Sequence, residues 1–186
     1  MSLHVASRRR KVASLSADFP GAQIIDVTSK AADPWIRLSP FYPHGGIPVP
    51  FSEGQSVMSE SVEGIWQALK VFEHAGVDPT KLEITTMRNL KRTVRRYGSV
   101  RGHRAGLDGD RLLGYETARR LIYLPSYRWV LDNRVKDLTE QLRELSDKTD
   151  VVLLDYTVNG DVTDLTKPLS HAALVQLYME GRWPAD

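Results

Sequence analysis

Three polar side chains with helical spacing are the residues of this sequence best suited to chemistry. Glu63, Gln67 and Lys70 lie at positions i, i+4 and i+7 of a helix predicted over 61–74, so they share one face, with Trp66 at its border. A carboxylate, an amide and an ammonium in one column can bind a polar ligand such as a ribose. The same column fits the solvated side of an amphipathic helix, and the pattern alone favours that ordinary interpretation.

A basic segment follows in which no acidic residue interrupts the positive charge. Positions 84 to 107 contain no Asp or Glu, although the formal net charge of the chain is only +2. The cations recur at helical spacing in a helix predicted over 87–97, namely Arg88, Lys91, Arg92, Arg95 and Arg96. Forked arginine side chains suit phosphate groups, so the stripe predicts an anion site. A solvated charged helix face fits it equally well.

The next segment, 98–106, is rich in glycine and carries two further donors, His103 and Arg104. Glycine lets backbone N–H groups approach an anion closely, and these side chains would add to the site. The segment has neither P-loop nor G-x-G-x-x-G spacing, however. Its turn chemistry therefore favours a loop that ends the preceding helix.

The composition removes several classes of site. There is no cysteine, so disulfides, thiolate metal sites and cysteine nucleophiles are absent. The five histidines are scattered, and neither H-E-x-x-H nor G-x-S-x-G occurs, so we predict no metal site, no serine-hydrolase elbow and no cofactor. No apolar run approaches the roughly 20 residues that cross a membrane, and the basic start lacks the apolar stretch of a secretory signal. We expect a cytoplasmic protein without a membrane partner.

The elements that must position these residues are mostly helical. Beyond the two helices above, apolar spacing predicts three more. They span 111–122, a segment that begins at Pro125 and has a buried stripe reaching Leu142, and 168–180. Short strands are predicted at 21–29, near 47–51 and at 151–154, and turns at 98–109. The expected fold class is α+β, mainly α with a few short strands. We expect one compact domain over 17–186 after a flexible basic arm over 1–16.

One stretch has a more specific pattern. Residues 38–43 read L-S-P-F-Y-P, and after a loop residues 61–70 read S-V-E-G-I-W-Q-A-L-K. This resembles the opening signature of the NADAR family, also called YbiA-like, in which an L-S-N-F-Y-P-like stretch precedes an S-V-E-x-x-x-Q-A-x-K helix. Pro40 stands where the family usually has Asn, and its C-terminal W-G-x-G-like segment is not found. Residues 155–161, which include Asp155 and Asn159, are the candidates for that place.

The resemblance implies a compact YbiA-like domain and an N-glycosidase, an enzyme that hydrolyses a bond between a ribose and a nitrogen. The family's helix glutamate corresponds to Glu63 and its helix lysine to Lys70, while Ser39, Phe41 and Tyr42 stand in the upstream motif. Cleavage of such a bond builds positive charge on the ribose. The Glu63 carboxylate would stabilise that charge or activate the attacking water.

The remaining candidates have supporting roles in this hypothesis. Lys70 or Asp155 would protonate the leaving base, and Phe41, Tyr42 or Trp66 would stack on it. The other predicted substrate contacts are Ser39, Gln67, Arg92, Arg95, His103, Arg104 and Asn159. The substrate would be a ribosylated base or an ADP-ribosyl group, either free or on nucleic acid, and the pattern assigns no oligomeric state. Two alternatives stay open: a non-catalytic nucleic-acid or nucleotide binding module using 88–104, and a glycosidase fold that has lost catalysis and binds a partner.

Overall fold

The computed structural model describes residues 2–52 and 56–184, and it confirms the predicted α+β fold class. These residues form two compact units. The first comprises the described parts of Met1–Ser39 and Val135–Ala185, and the second is Pro40–Arg134. Within the described ranges, no helix is both long and apolar enough to cross a membrane.

Helices and strands are interspersed along the described residues. The helices are α1 (Val12–Asp18), α2 (Val62–Leu69), α3 (Val94–Tyr97), α4 (Tyr115–Ala118), α5 (Leu124–Asn133), α6 (Lys136–Lys148) and α7 (His171–Met179). The strands are β1 (Leu3–Ser7), β2 (Gln23–Asp26), β3 (Ile47–Pro48), β4 (Met58–Ser59), β5 (Lys70–Phe72), β6 (Val100–Arg104), β7 (Leu112–Leu113) and β8 (Val151–Asp155). A π-helical turn, Arg119–Tyr123, joins α4 to α5, and 3₁₀ turns lie at Trp35–Leu38 and Pro79–Lys81.

The first unit is built on a three-stranded parallel sheet in the order β1-β8-β2. Its central strand β8 has the sequence V-V-L-L-D and is almost wholly buried, as expected for a parallel strand between two others and beneath helices. Helices α6 and α7 pack against β8. Leu138 and Leu142 lie one turn apart on α6 and supply its buried stripe.

The prediction of a flexible arm over 1–16 was wrong. Leu3–Ser7 pairs with β8 along its whole length, and Leu15 of α1 is only 2% exposed and packs with Ala6 and Val152. Only Leu3 and Ala6 of β1 are buried. Such an edge strand has too few apolar residues to be recognised from local pattern, and its stability comes from pairing with a strand about 150 residues later.

The second unit is organised around α2, in which all eight residues are buried. Ser61 is the N-cap of this helix, since its hydroxyl accepts a hydrogen bond from the Gly64 backbone N–H at 3.0 Å. Gly64 allows the Lys81 backbone to approach the helix closely, because a Cβ at this position would lie 2.7 Å from the Lys81 carbonyl oxygen. The turn at Pro79–Lys81 therefore packs directly onto the start of the helix.

The predicted helix over 61–74 is wrong beyond Leu69. Lys70 has extended backbone angles, φ −69° and ψ 129°, and begins β5. This strand pairs antiparallel with β6 and places Lys70 opposite His103, while β6 pairs with β7. Strand pairing that includes the β-branched Val71 overrides the helical spacing. Glu63, Gln67 and Lys70 therefore do not form one helical column.

Three neighbouring predictions were also wrong in detail. The segment 87–97 is helical only at Val94–Tyr97, and 98–109 contains a strand rather than turns alone. Over 111–122, β7 comes first and the helix begins only at Tyr115. Gly102 accounts for the misread strand: it has φ 152°, and a Cβ there would lie 2.5 Å from the Leu113 carbonyl oxygen. A glycine required for close strand approach resembles a turn signal in the sequence.

The other strand and helix predictions differ from the structure mainly at their ends. The strands expected at 21–29, 47–51 and 151–154 occur as β2, β3 and β8. The helix expected over 168–180 is α7, whose Ser170 N-cap accepts a hydrogen bond from the Ala173 N–H at 3.2 Å. The helix expected from Pro125 to Leu142 ends at Asn133, and α6 begins separately at Lys136 after non-helical Val135.

Candidate active site

Glu63 is a buried carboxylic acid in the first turn of α2, with 7% of its surface exposed. Gln67, one turn later, donates a hydrogen bond from Nε2 to Glu63 Oε1 at 2.8 Å. No other side-chain hydrogen bond to Glu63 occurs within residues 2–52 and 56–184. Burial raises the pKa of the carboxyl, while the Gln67 hydrogen bond and nearby lysines act in the opposite direction. A group balanced in this way is suited to proton transfer.

The upstream motif of the sequence is tied to this helix. The Glu63 backbone N–H donates to the Pro40 carbonyl oxygen at 2.9 Å, which uses one of the donors left unpaired at a helix start. Phe41 is half-buried, and Lys91 places Nζ 5.2 Å from the centroid of its ring. The charge of Lys91 acts on the Glu63 carboxyl. The two halves of the sequence signature therefore meet at Glu63.

Lys70 is the second titratable group of the site. Its ammonium lies 5.8 Å from the centroid of the Trp66 ring. Burial lowers the pKa of Lys70, the negative charge of Glu63 opposes that shift, and the charges of Arg92 and Lys91 add to it. Lys70 therefore releases a proton more readily than an ordinary lysine, which suits the protonation of a leaving group.

An aromatic cavity of about 460 Å³ opens beside Lys70. Its walls are formed by Trp66, Lys70, Val100, Arg101, Gly102, His103 and Tyr115. His103 is 1% exposed and stacks on Trp66 with ring centroids 3.7 Å apart. Neither of its ring nitrogens has a hydrogen-bond partner in the part of the chain that the structure describes. Burial, with a smaller effect from Lys70, lowers the pKa of His103 to about 3, so its imidazole is neutral at pH 7.

Tyr115 forms the exposed aromatic side of this cavity, with 41% of its surface exposed. Buried Arg119 holds it from one turn later: the guanidinium carbon lies 4.4 Å from the ring centroid, and Nη2 donates to the hydroxyl at 3.3 Å. Sequence reasoning did not select Tyr115. The sequence feature that could have indicated it is the i, i+4 spacing of Tyr115 and Arg119, which brings the two side chains together on a helix.

The profile of DUF6939, a family of unknown function, matches residues 7–175 of the chain. The chain belongs to this family. A search of curated proteins finds no match. What a DUF6939 chain can do must therefore be argued from the residues of its site.

Arg92 of this DUF6939 chain, which was predicted to bind phosphate, donates hydrogen bonds to backbone carbonyl oxygens. Its guanidinium donates to the carbonyl oxygens of Gln67, Lys70 and Gly76 at 3.2, 2.7 and 2.7 Å. Its backbone N–H donates to Gln67 Oε1 at 2.9 Å, so the amide that orients Glu63 is itself fixed. Arg92 therefore satisfies carbonyls at and beyond the C-terminal end of α2 and holds Gln67 in place.

The other predicted phosphate ligands are spread over the second unit. Arg95 is exposed on α3, and Arg104 donates from Nη1 to the Gly109 carbonyl oxygen at 2.9 Å. The predicted helical stripe does not form, but residues of the same segment line a basic cavity of about 300 Å³. Its walls are Lys81, Asn89, Lys91, Arg92, Thr93, Arg96 and Tyr97. Tyr42, predicted to stack on a base, packs on His44 with ring centroids 4.8 Å apart.

Three predicted site residues belong to the first unit. Asp155 Oδ2 accepts hydrogen bonds from Ser170 Oγ at 2.8 Å and from His171 Nδ1 at 3.0 Å, and Asn159 Nδ2 donates to the carbonyl oxygens of Asp164 and Lys167. Ser39 is 1% exposed at the end of a 3₁₀ turn. Asp155 and Asn159 therefore make hydrogen bonds within the first unit, and the roles predicted for them in catalysis and substrate binding stay predictions.

In ranges 2–52 and 56–184, no group of three or more His, Asp or Glu side chains is arranged to hold a metal ion.

Proposed function

We propose that the protein is an N-glycosidase that hydrolyses the bond between a ribose and a nitrogen of a nucleobase, in an ADP-ribosylated or otherwise ribosylated base. One observation carries the proposal: Glu63 is a buried acid, oriented by Gln67 and placed within the electrostatic reach of Lys70. The resemblance of residues 38–43 and 61–70 to the NADAR signature supports the same activity.

The reaction divides between these two groups. When the C1′–N bond breaks, its electron pair goes to the base nitrogen, and positive charge develops on the ribose. The ionised Glu63 carboxylate stabilises this charge and then accepts a proton from the water that adds to C1′. Lys70 supplies the proton that the departing nitrogen takes up. Atoms balance, since the ribose gains hydroxyl and the base gains hydrogen.

The surroundings suit each group to its role. Burial raises the pKa of Glu63 and makes it a stronger base than a solvated glutamate, and the charges of Lys70 and Lys91 oppose that shift by favouring the ionised form. Lys70 is a stronger acid than a solvated lysine because burial disfavours its charged form. Two titratable groups whose pKa values move toward one another are a common arrangement at sites of proton transfer.

The decisive experiment replaces Glu63 with its neutral isostere. Glu63→Gln should lower turnover by about 10²–10⁴-fold while leaving the circular dichroism spectrum unchanged, since a neutral side chain suits this buried position. Substrates to test are ADP-ribosylated DNA, ADP-ribosylated protein, NAD and phosphorylated ribosyl intermediates, with released base as the readout. The matched control is Glu83→Gln, because Glu83 is exposed in the same unit. Wild-type turnover that survives Glu63→Gln would reject the mechanism.

A second candidate function is a nucleotide-binding module without chemistry. It is favoured by the basic cavity, where Lys81, Lys91 and Arg96 contribute positive charge. Binding of mononucleotides or RNA would then fall steeply with salt, and Arg96→Gln would weaken it. No product would form on long incubation with any of the substrates above. Product formation that depends on Glu63 excludes this candidate.

A further inference from the structure

His103 is the most unusual polar side chain of the second unit. It is 1% exposed, and both ring nitrogens lack a hydrogen-bond partner among the described residues. Buried polar atoms are nearly always paired, because leaving one unpaired costs about 1–3 kcal/mol. His103 also forms part of the wall of the aromatic cavity. A histidine retained at such a cost beside a cavity indicates a partner that arrives with a ligand.

We infer that the aromatic cavity binds a flat heteroaromatic ring through stacking on Tyr115 and a hydrogen bond to one ring nitrogen of His103. A neutral imidazole offers one N–H donor and one nitrogen acceptor. The two nitrogens point away from each other, so a ligand pairs with one of them. The edge of a purine or pyrimidine carries both donors and acceptors and can pair with either nitrogen, and neither a sugar-phosphate nor an aliphatic ligand combines such an edge with a flat face. The class of ligand is therefore a nucleobase or its nucleoside.

The walls of the cavity agree with this class. Tyr115 is exposed yet held by Arg119, so its ring is a preorganised stacking surface. Lys70 and Arg101 add positive charge, which disfavours a cationic ring. The volume of about 460 Å³ lies within the roughly 300–1,000 Å³ of small-molecule sites.

Lys70 connects this cavity to Glu63. Strand pairing places Lys70 opposite His103, and the charge of Lys70 acts on the Glu63 carboxyl. A base held by His103 and Tyr115 is therefore next to the ammonium that would protonate it. The assignment of the cavity as the site of the leaving base rests on the proposed function, whereas the binding of a nucleobase does not.

Direct binding tests the inference in the Glu63→Gln background, where no probe is consumed. Isothermal titration calorimetry would use adenosine, guanosine and uridine, with ribose 5-phosphate as the probe that lacks a ring. We expect at least one nucleoside to bind and ribose 5-phosphate not to bind in the aromatic cavity. His103→Phe, which keeps a ring on Trp66 but removes both nitrogens, should weaken nucleoside binding about tenfold or more. Tyr115→Leu should weaken it about five- to tenfold.

Matched variants separate recognition from folding. His103→Asn retains a donor and an acceptor and should recover part of the affinity lost in His103→Phe. His74→Phe makes the same exchange at an exposed histidine of the same unit and should leave binding unchanged. Equal nucleoside affinity in Glu63→Gln with and without His103→Phe would overturn the inference, as would the absence of nucleoside binding. Binding that depends on His103 without any wild-type turnover would uphold it and reject the proposed function. Turnover that depends on Glu63 but is unaffected by His103→Phe would support the proposed function and reject the inference.

Discussion

Each unit of the molecule buries a carboxylic acid and a histidine, but only the first unit pairs them. Asp155 and His171 are 3.0 Å apart, and His171 Nε2 reaches the Val27 carbonyl oxygen at 2.7 Å. In the second unit, Glu63 is hydrogen-bonded to an amide, and His103 has no hydrogen-bond partner among the residues described. The same residue types therefore have different surroundings: Asp155 and His171 are partners of each other, whereas His103 is the residue for which we propose a ligand partner.

The pKa shifts of the first set, Asp155 and His171, are opposite in direction to those of the second set, Glu63 and His103. Burial would raise the pKa of Asp155, but His171 and Ser170 together bring it below its ordinary value. Burial likewise opposes the charged form of His171, yet Asp155 brings its pKa above the ordinary value. For Glu63 and His103, burial prevails, raising the pKa of the acid and lowering that of the histidine. The partners of Asp155 and His171 favour their charged forms, whereas burial disfavours the charged forms of Glu63 and His103.

The largest expected difference between the two sets is in the response to neutral isosteres. Asp155→Asn leaves the buried His171 without its counter-charge and should lower the free energy of unfolding by about 3–5 kcal/mol. Glu63→Gln removes a charge that burial already disfavours and should change it by less than about 1 kcal/mol. Urea denaturation followed by circular dichroism measures both. Equal losses in the two variants would show that Glu63 is as structural as Asp155.

The two histidines should also respond oppositely to pH. His103 has a folded pKa of about 3, below the unfolded value of about 6.5, so only the unfolded state takes up its proton between these values. Its contribution to stability therefore falls as pH falls, by about 1.4 kcal/mol per pH unit between pH 6 and 4. For His171, whose folded pKa is raised, the contribution is complete below about pH 6.5 and is lost as pH rises through the folded pKa.

Urea denaturation of wild type and His103→Phe at pH 4, 5 and 6 isolates this effect. Glu63, whose raised pKa makes stability fall as pH rises above about 4.3, is present in both proteins and cancels in the difference. We expect that difference to change by about 1.4 kcal/mol per pH unit. A difference that stays constant from pH 6 to 4 would show that the folded pKa of His103 is not lowered below its unfolded value.

How much of this the sequence could predict depends on the distance along the chain between partners. The contact of Glu63 with Gln67 follows from helical spacing, and the Ser61 cap follows from residue type. The pairing of Lys70 with His103 joins positions 33 residues apart through strands that local pattern assigned to a helix and a loop. A guanidinium such as that of Arg92 can donate hydrogen bonds to phosphate or to carbonyl oxygens. The sequence does not show which of these acceptors the fold places beside it.

Substitution of Gly102 tests whether the close approach of strands β6 and β7 positions His103, the next residue of β6. Gly102→Ala would bring a Cβ to 2.5 Å from the Leu113 carbonyl oxygen, so β6 and β7 must separate. We expect a loss of about 1–3 kcal/mol in the free energy of unfolding, together with weaker nucleoside binding. Gly114→Ala is the control, since nothing lies within 4 Å of a Cβ there. A tolerated Gly102→Ala would mean that the β6–β7 approach is not required at this site.

The smallest expected difference concerns the two serine caps, one in each unit. Ser61 Oγ accepts from the Gly64 N–H, so Ser61→Ala should cost about 1 kcal/mol. Ser170 Oγ accepts from the Ala173 N–H and also donates to Asp155 at 2.8 Å. Ser170→Ala should therefore cost about 2 kcal/mol, because the buried carboxylate loses a charged hydrogen bond as well. This additional loss in the free energy of unfolding, relative to Ser61→Ala, should disappear when Ser170→Ala is made in the Asp155→Asn variant. Urea denaturation of the single and double variants measures it as a double-mutant cycle. An excess that persists there would show that Ser170 stabilises α7 independently of the Asp155–His171 pair.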